Sequence, residues 1–83
     1  MSTRIEVPLP SLGDEDDTVT KATVSMWLAG VGQPLKAGDD LLEITTDKAA
    51  FVVPAPQDGT LAERRVAEGE AIAVGQIVAV LEA

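Results

Sequence analysis

Cysteine and histidine are both absent from this 83-residue chain. Without cysteine no disulfide staples the fold and no thiolate can attack; without histidine no imidazole serves as base or zinc ligand. Acyl or redox chemistry, if the chain takes part in any, has to be imported on a cofactor. Aromatic residues are nearly missing too, with one Trp, one Phe and no Tyr, so branched aliphatic side chains must fill the interior. Positive charge is scarce: 6 Lys and Arg stand against 14 Asp and Glu, a net charge of −8. That balance argues against nucleic acid and against an anionic membrane surface. Protein partners are expected to present basic patches and to bind in a salt-dependent way, although the same charge also serves solubility. No apolar run approaches the roughly 20 residues that span a bilayer. The opening Met1-Ser2-Thr3-Arg4-Ile5-Glu6-Val7 has no apolar segment of the secretory type, so the chain reads as soluble and intracellular.

What is present fits one domain over 1–83, since a chain of this length has no room for a second core. Ile5-Glu6-Val7 alternates as a short strand before Pro8 and Pro10 interrupt it. Asp14, Glu15, Asp16 and Asp17 form an acidic run that belongs in solvent. A strand is expected over Thr18 to Leu28, with Val19 and Val24 inward and a bulge where Met26, Trp27 and Leu28 break the alternation. Trp27 reads as a cover over the edge of the core. Leu41 to Ile44, Phe51 to Val53, Thr60 to Val66 and Ile77 to Leu81 read as further strands, with glycine-rich turns between them. Apolar spacing is nearer 2 than 3.6 and glycines recur too often for a helix. The fold class is all-β.

An internal repeat organises these strands. Moved back by 37 positions, Thr60 falls on Thr23, Leu61 on Val24, Gly69 on Gly32, Ile72 on Leu35 and Gly75 on Gly38. The closing strands also register, Val78 on Leu41 and Leu81 on Ile44. In each half a branched apolar residue sits midway between two glycines, pinning a loop whose turns need positive φ. Halves of about 5–46 and 49–82 that cannot each bury their own face imply two interlocked copies, packed as two small sheets about an approximate twofold axis. Between the copies lies Asp47-Lys48, a polar pair flanked by Thr45 and Thr46 on one side and by Ala49 and the β-prone Phe51-Val52-Val53 on the other. Asp47 is the natural turn-former there, which leaves Lys48 at a hairpin tip. An isolated Asp-Lys turn is most simply a solvated charge; its place between two copies makes it a candidate handle.

These residues resemble the lipoyl domains of 2-oxo acid dehydrogenase complexes, close kin of the biotinyl domains. The resemblance runs from Ile5 to Leu81 and rests on Thr23-Val24, Trp27-Leu28, Gly32, Leu35, Gly38-Asp39 and Leu41. It continues through Glu43-Ile44, Thr46-Asp47-Lys48-Ala49, Val53-Pro54, Gly59, Gly69 and Gly75-Gln76. It implies a flattened barrel, or sandwich, of two four-stranded antiparallel sheets with quasi-twofold symmetry. It implies lipoate joined by an amide to Lys48, with Asp47 and Ala49 as neighbours of the attachment turn. Biotinyl relatives usually flank the lysine with methionines, so Asp47 and Ala49 favour lipoate over biotin. A biotin carrier of a carboxylase, or an unmodified β-sandwich interaction module, are the alternative readings.

The resemblance further implies a carrier that is not itself catalytic and that is monomeric when isolated. In the family, a thiamine-diphosphate 2-oxo acid decarboxylase reductively acylates the arm. A dihydrolipoamide acyltransferase then passes the acyl group to coenzyme A, and the flavoprotein dihydrolipoyl dehydrogenase reoxidises the dithiol. A lipoate-attaching enzyme completes the set of partners. Asp14, Glu15, Asp16 and Asp17, with Thr45 and Thr46, are the recognition candidates, because in the family the acidic loop lies near the lysine hairpin. The chain departs from the family pattern at Thr45 and Val52, where Glu is frequent, at Gln33, where Asp is usual, and at Ala22, where Gly is common. The family's habits place such a chain in the bacterial cytoplasm, or secondarily in a mitochondrial matrix, as the N-terminal domain of a longer acyltransferase, with a free-standing carrier as the alternative.

Overall fold

A computed structural model of the protein describes residues 3–11 and 20–83. Among these residues the chain forms eight strands and no helix: β1 (Arg4–Pro8), β2 (Lys21–Trp27), β3 (Pro34–Leu35), β4 (Asp40–Thr45), β5 (Ala50–Pro54), β6 (Gly59–Arg64), β7 (Ala71–Ala73) and β8 (Ile77–Glu82). Two four-stranded antiparallel sheets result, in the orders β1-β8-β6-β3 and β5-β4-β2-β7. We refer to the second, which contains the β4–β5 hairpin, as the hairpin sheet, and to the first as the terminal sheet.

Each sheet draws strands from both halves of the chain, so neither half closes a core alone. The repeat relates β2, β3 and β4 to β6, β7 and β8 at the 37-residue offset, and it extends to hydrogen bonds and irregularities. Gln33 N–H donates to Gly30 C=O as Glu70 N–H donates to Ala67 C=O, and Gly32 N–H donates to Leu61 C=O as Gly69 N–H donates to Val24 C=O. The four left-handed glycines among the described residues fall into the same pairs, Gly32 with Gly69 (φ 91° and 87°) and Gly38 with Gly75 (φ 92° and 90°). A β-bulge at Ser25 on β2 has its copy at Ala62 on β6. The bulge expected at Met26 to Leu28 therefore sits one residue earlier, where the extra residue restores Met26 to register with Glu43.

β1 and β5 obey a different offset. Arg4–Pro8 matches Ala50–Pro54 at 46 residues, and the match continues to Leu9 and Ala55, whose N–H groups donate to Gln76 C=O and Asp39 C=O. The two offsets differ by nine residues, so the acidic run lies in a connection that is nine residues longer in the first copy than in the second. Of the strand expected from Thr18, the described part begins at Lys21 and ends at Trp27. The strand expected over Thr60 to Val66 runs instead from Gly59 to Arg64, and Val66 leaves it while staying buried at 4% exposure.

Side chains alternate across the strands, and the inward set is aliphatic: Leu41, Leu42, Ile44, Leu61, Val78 and Leu81 are completely buried. Both aromatic residues are half-buried against this cluster rather than inside it. Each fully buried aliphatic side chain contributes about 1.5–3 kcal/mol, which lets a small domain fold without disulfides.

Candidate functional site

The hairpin between β4 and β5 turns over four residues, Thr46-Asp47-Lys48-Ala49. Backbone closes it once, Thr46 N–H donating to Ala49 C=O at 2.9 Å. The Thr46 hydroxyl oxygen then accepts from the N–H groups of Lys48 and Ala49, at 3.2 Å each. The same hydroxyl lies 3.2 Å from Ala49 C=O, to which it donates. A single threonine side chain therefore organises the tip, and not the carboxylate of Asp47, which the sequence singled out as the turn-former. Asp47, Lys48 and Ala49 are all exposed.

The hairpin occupies one pole of the molecule. β2 starts beside it, with Thr23 paired to Thr45, and runs away from it to Trp27. Beyond Trp27 the chain reaches Gly32, whose N–H bonds Leu61 C=O, and Leu61 is paired with Leu81 near the far end. There Thr3 and Ala83 exchange two backbone hydrogen bonds at 2.9 Å. Thr46 and Ala49 are matched in the repeat by Ala83 and Thr3. The lysine tip and the paired ends are thus the same place in two copies, one closed by a turn.

Beside the turn a groove of about 340 Å³ runs between β2, β7 and the hairpin, lined by Lys21, Thr23, Thr45, Thr46, Asp47 and small alanines. Of the recognition candidates, Thr45 and Thr46 are half-buried and line this groove, whereas Asp14, Glu15, Asp16 and Asp17 lie outside the described residues. No cluster of acidic residues suited to a metal ion exists among the described residues.

What this site offers chemically is a primary amine on a four-carbon stem, carried by an ordered turn at an exposed residue. Such an amine accepts an activated carboxyl group to form an amide.

Comparison with known proteins adds to this geometry. The biotin/lipoyl family model, described as "Biotin-requiring enzyme", matches residues 5–81. The dihydrolipoyllysine-residue acetyltransferase component of the pyruvate dehydrogenase complex of Zymomonas mobilis is 45% identical over 78 residues, covering 93% of this chain and 17% of that protein. The dihydrolipoyllysine-residue succinyltransferase component of the 2-oxoglutarate dehydrogenase complex of Rickettsia felis is 39% identical over 72 residues, covering 87% of this chain and 17% of that protein. The chain therefore spans less than a fifth of the length of these relatives. Among solved structures, the lipoyl domain of the 2-oxoglutarate dehydrogenase complex from Azotobacter vinelandii superposes with a TM-score of 0.69 at 27% identity, covering 93% of this chain and 94% of that one.

Proposed function

Because the chain belongs to the biotin/lipoyl family, as a lipoyl domain, we propose that it is an acyl carrier whose Lys48 amine is joined to lipoate through an amide bond. One observation carries this reading above the others: Lys48 stands on the turn joining the two copies, at the pole opposite the paired ends. The residues fit the group. Thr46 orders the two amides on either side of the attachment point, Asp47 and Ala49 crowd it with nothing large, and the exposed tip leaves the amine reachable by an enzyme.

Lipoate, when bound, supplies the reactive sulfurs that this chain lacks. The chain's own contribution is positional. Its rigid two-sheet body holds the tip in a fixed direction, and tethering raises the effective concentration of the carried group at each active site visited. The partners that follow are a thiamine-diphosphate 2-oxo acid decarboxylase, an acyltransferase, dihydrolipoyl dehydrogenase and a lipoate-attaching enzyme, working in a bacterial cytoplasm. Both relatives named above carry dihydrolipoyllysine in their descriptions, which favours lipoate over biotin.

Intact mass after co-expression with a lipoate-attaching or a biotin-attaching enzyme tests the assignment. A lipoyl increment that disappears in Lys48→Ala, with the thermal midpoint unchanged, is the expected result. A biotinyl increment, no increment, or a lipoyl increment that survives Lys48→Ala would each defeat it.

A further inference from the structure

The internal repeat makes each sheet a control for the other. Residues opposite one another in an antiparallel pair share a face, so the registers define rows on the two outer surfaces. On the terminal sheet one row reads Glu6-Val80-Glu63 and the next Arg4-Glu82-Thr60. The equivalent rows on the hairpin sheet read Val52-Glu43-Met26 and Ala50-Thr45-Thr23. The polarity is inverted. On the terminal sheet charged residues flank Val80, which they leave 1% exposed, and Arg4 bridges Glu63 and Glu82. On the hairpin sheet Met26 and Val52, each 46% exposed, flank a single half-buried carboxylate, Glu43.

The same backbone positions accept an ion-pair network on one side of the molecule, so the fold does not require the bare face on the other. That face is continuous with the lysine tip. Thr45 adjoins the turn, and Glu43 lies two residues further along β4, about 7 Å at about 3.3 Å per strand residue. Two copies of this chain are poorly suited to cover each other here, since a twofold pairing would bring Glu43 toward its own copy in a chain of net charge −8. The chemistry that complements the face is a basic side chain set between apolar ones.

We propose that the outer face of the hairpin sheet, centred on Met26, Glu43 and Val52, is the surface on which the lipoate-attaching enzyme docks. This rests on the carrier reading of Lys48. Among the enzymes that reading invokes, the attaching enzyme is favoured because it must act on the lysine before any arm extends it. The four-carbon stem gives little reach, so that enzyme has to lie close against the surface beside the tip. An enzyme that acts on the extended arm can reach it from further out.

The test uses the unmodified protein with a purified lipoate–protein ligase. It measures Kd by titration calorimetry together with kcat and KM for attachment. Glu43→Gln raises Kd and KM about fivefold with kcat held within about twofold, the loss typical of one partly exposed charge pair. Met26→Glu with Val52→Glu puts the flanking carboxylates of the terminal sheet onto this face and raises both by about tenfold or more. Glu6→Val with Glu63→Met on the opposite face leaves both at the wild-type value. The near-isosteric Glu43→Gln carries the test should the double substitution not fold. Wild-type Kd in Glu43→Gln, equal weakening by the opposite-face pair, or a dimer of the wild-type domain in sedimentation would overturn the docking surface. Failure of the wild-type chain to gain a lipoyl increment would instead overturn the carrier reading, so the two failures are distinct.

Discussion

Trp27 and Arg64 are the same position in the two copies of the repeat, and in the folded chain they lie against each other. The Arg64 guanidinium carbon is 5.2 Å from the centroid of the Trp27 ring. Each also reaches across to the other's neighbourhood: Trp27 Nε1–H donates to Val66 C=O and Arg64 donates to Ala29 C=O, both at 2.9 Å. Val66 and Ala29 are themselves equivalent and buried. The pair clasps the sheets on the approximate twofold axis, using two unlike side chains for one symmetric task.

A double-mutant cycle on this pair should show coupling. Trp27→Leu takes the ring away from the cation and leaves the Val66 carbonyl without its indole donor, the lost bond alone costing about 1–3 kcal/mol. Arg64→Met keeps the stem and removes the cation. Urea unfolding should give an interaction energy of about 0.5–1 kcal/mol between them. Strict additivity would mean that the stacking contributes nothing.

Thr46→Val should loosen the tip without loosening the body. The valine keeps the shape and removes the acceptor shared by the amides of Lys48 and Ala49. Hydrogen exchange at those two amides should accelerate while global stability falls by about 1 kcal/mol or less. Attachment at Lys48 should slow. Exchange rates equal to wild type would show that the backbone alone orders the turn.

Gly38→Ala and Gly75→Ala should cost the same. Both glycines have φ near +90° and neither has a heavy atom within 4 Å of an added Cβ, so the penalty is purely conformational. About 1–2 kcal/mol is expected for each. Thermal unfolding of the two variants tests whether the copies are energetically as well as geometrically equivalent.

Gly59→Ala should be destabilising for another reason. Its φ is unremarkable, yet a Cβ there would sit 2.9 Å from the backbone oxygen of Glu82. Because the obstacle is backbone in the neighbouring strand, β8 has to shift, at about 1–3 kcal/mol. A chemical-denaturation midpoint equal to wild type would mean the strands yield more easily than this contact implies.

How much of this was legible beforehand follows from what a residue type encodes. The glycine turns at positions 32, 38, 69 and 75 are dictated locally, by a backbone region that other residues avoid, so the 37-residue offset could be read directly. The 46-residue match of β1 to β5 was harder, since only the shared Val-Pro pairs and alternate prolines mark it and the longer first connection hides it. The offset alone pairs Trp27 with Arg64, but two such unlike side chains gave no sign that they would stack on each other. At the tip, Lys48 was found from its neighbours, but Asp47 obscured Thr46, the residue that makes the closing bonds. The inverted polarity of the two outer faces depends on bulges at Ser25 and Ala62, and a slip of one residue would have scrambled both rows.

The two backbone hydrogen bonds between Thr3 and Ala83 have an engineering corollary. They bring the two ends of the described chain to the separation that the repeat spans elsewhere with Asp47 and Lys48. A two-residue Asp-Lys splice from Ala83 to Thr3, with Ala83→Thr to supply the hydroxyl that Thr46 provides, would thus make the chain circular, with a second turn cut to the pattern of the first. Reopening the ring between Lys48 and Ala49 would give a circular permutant with the poles exchanged. Such a molecule would ask an attaching enzyme whether it reads the lysine turn alone or the sheet face beside it.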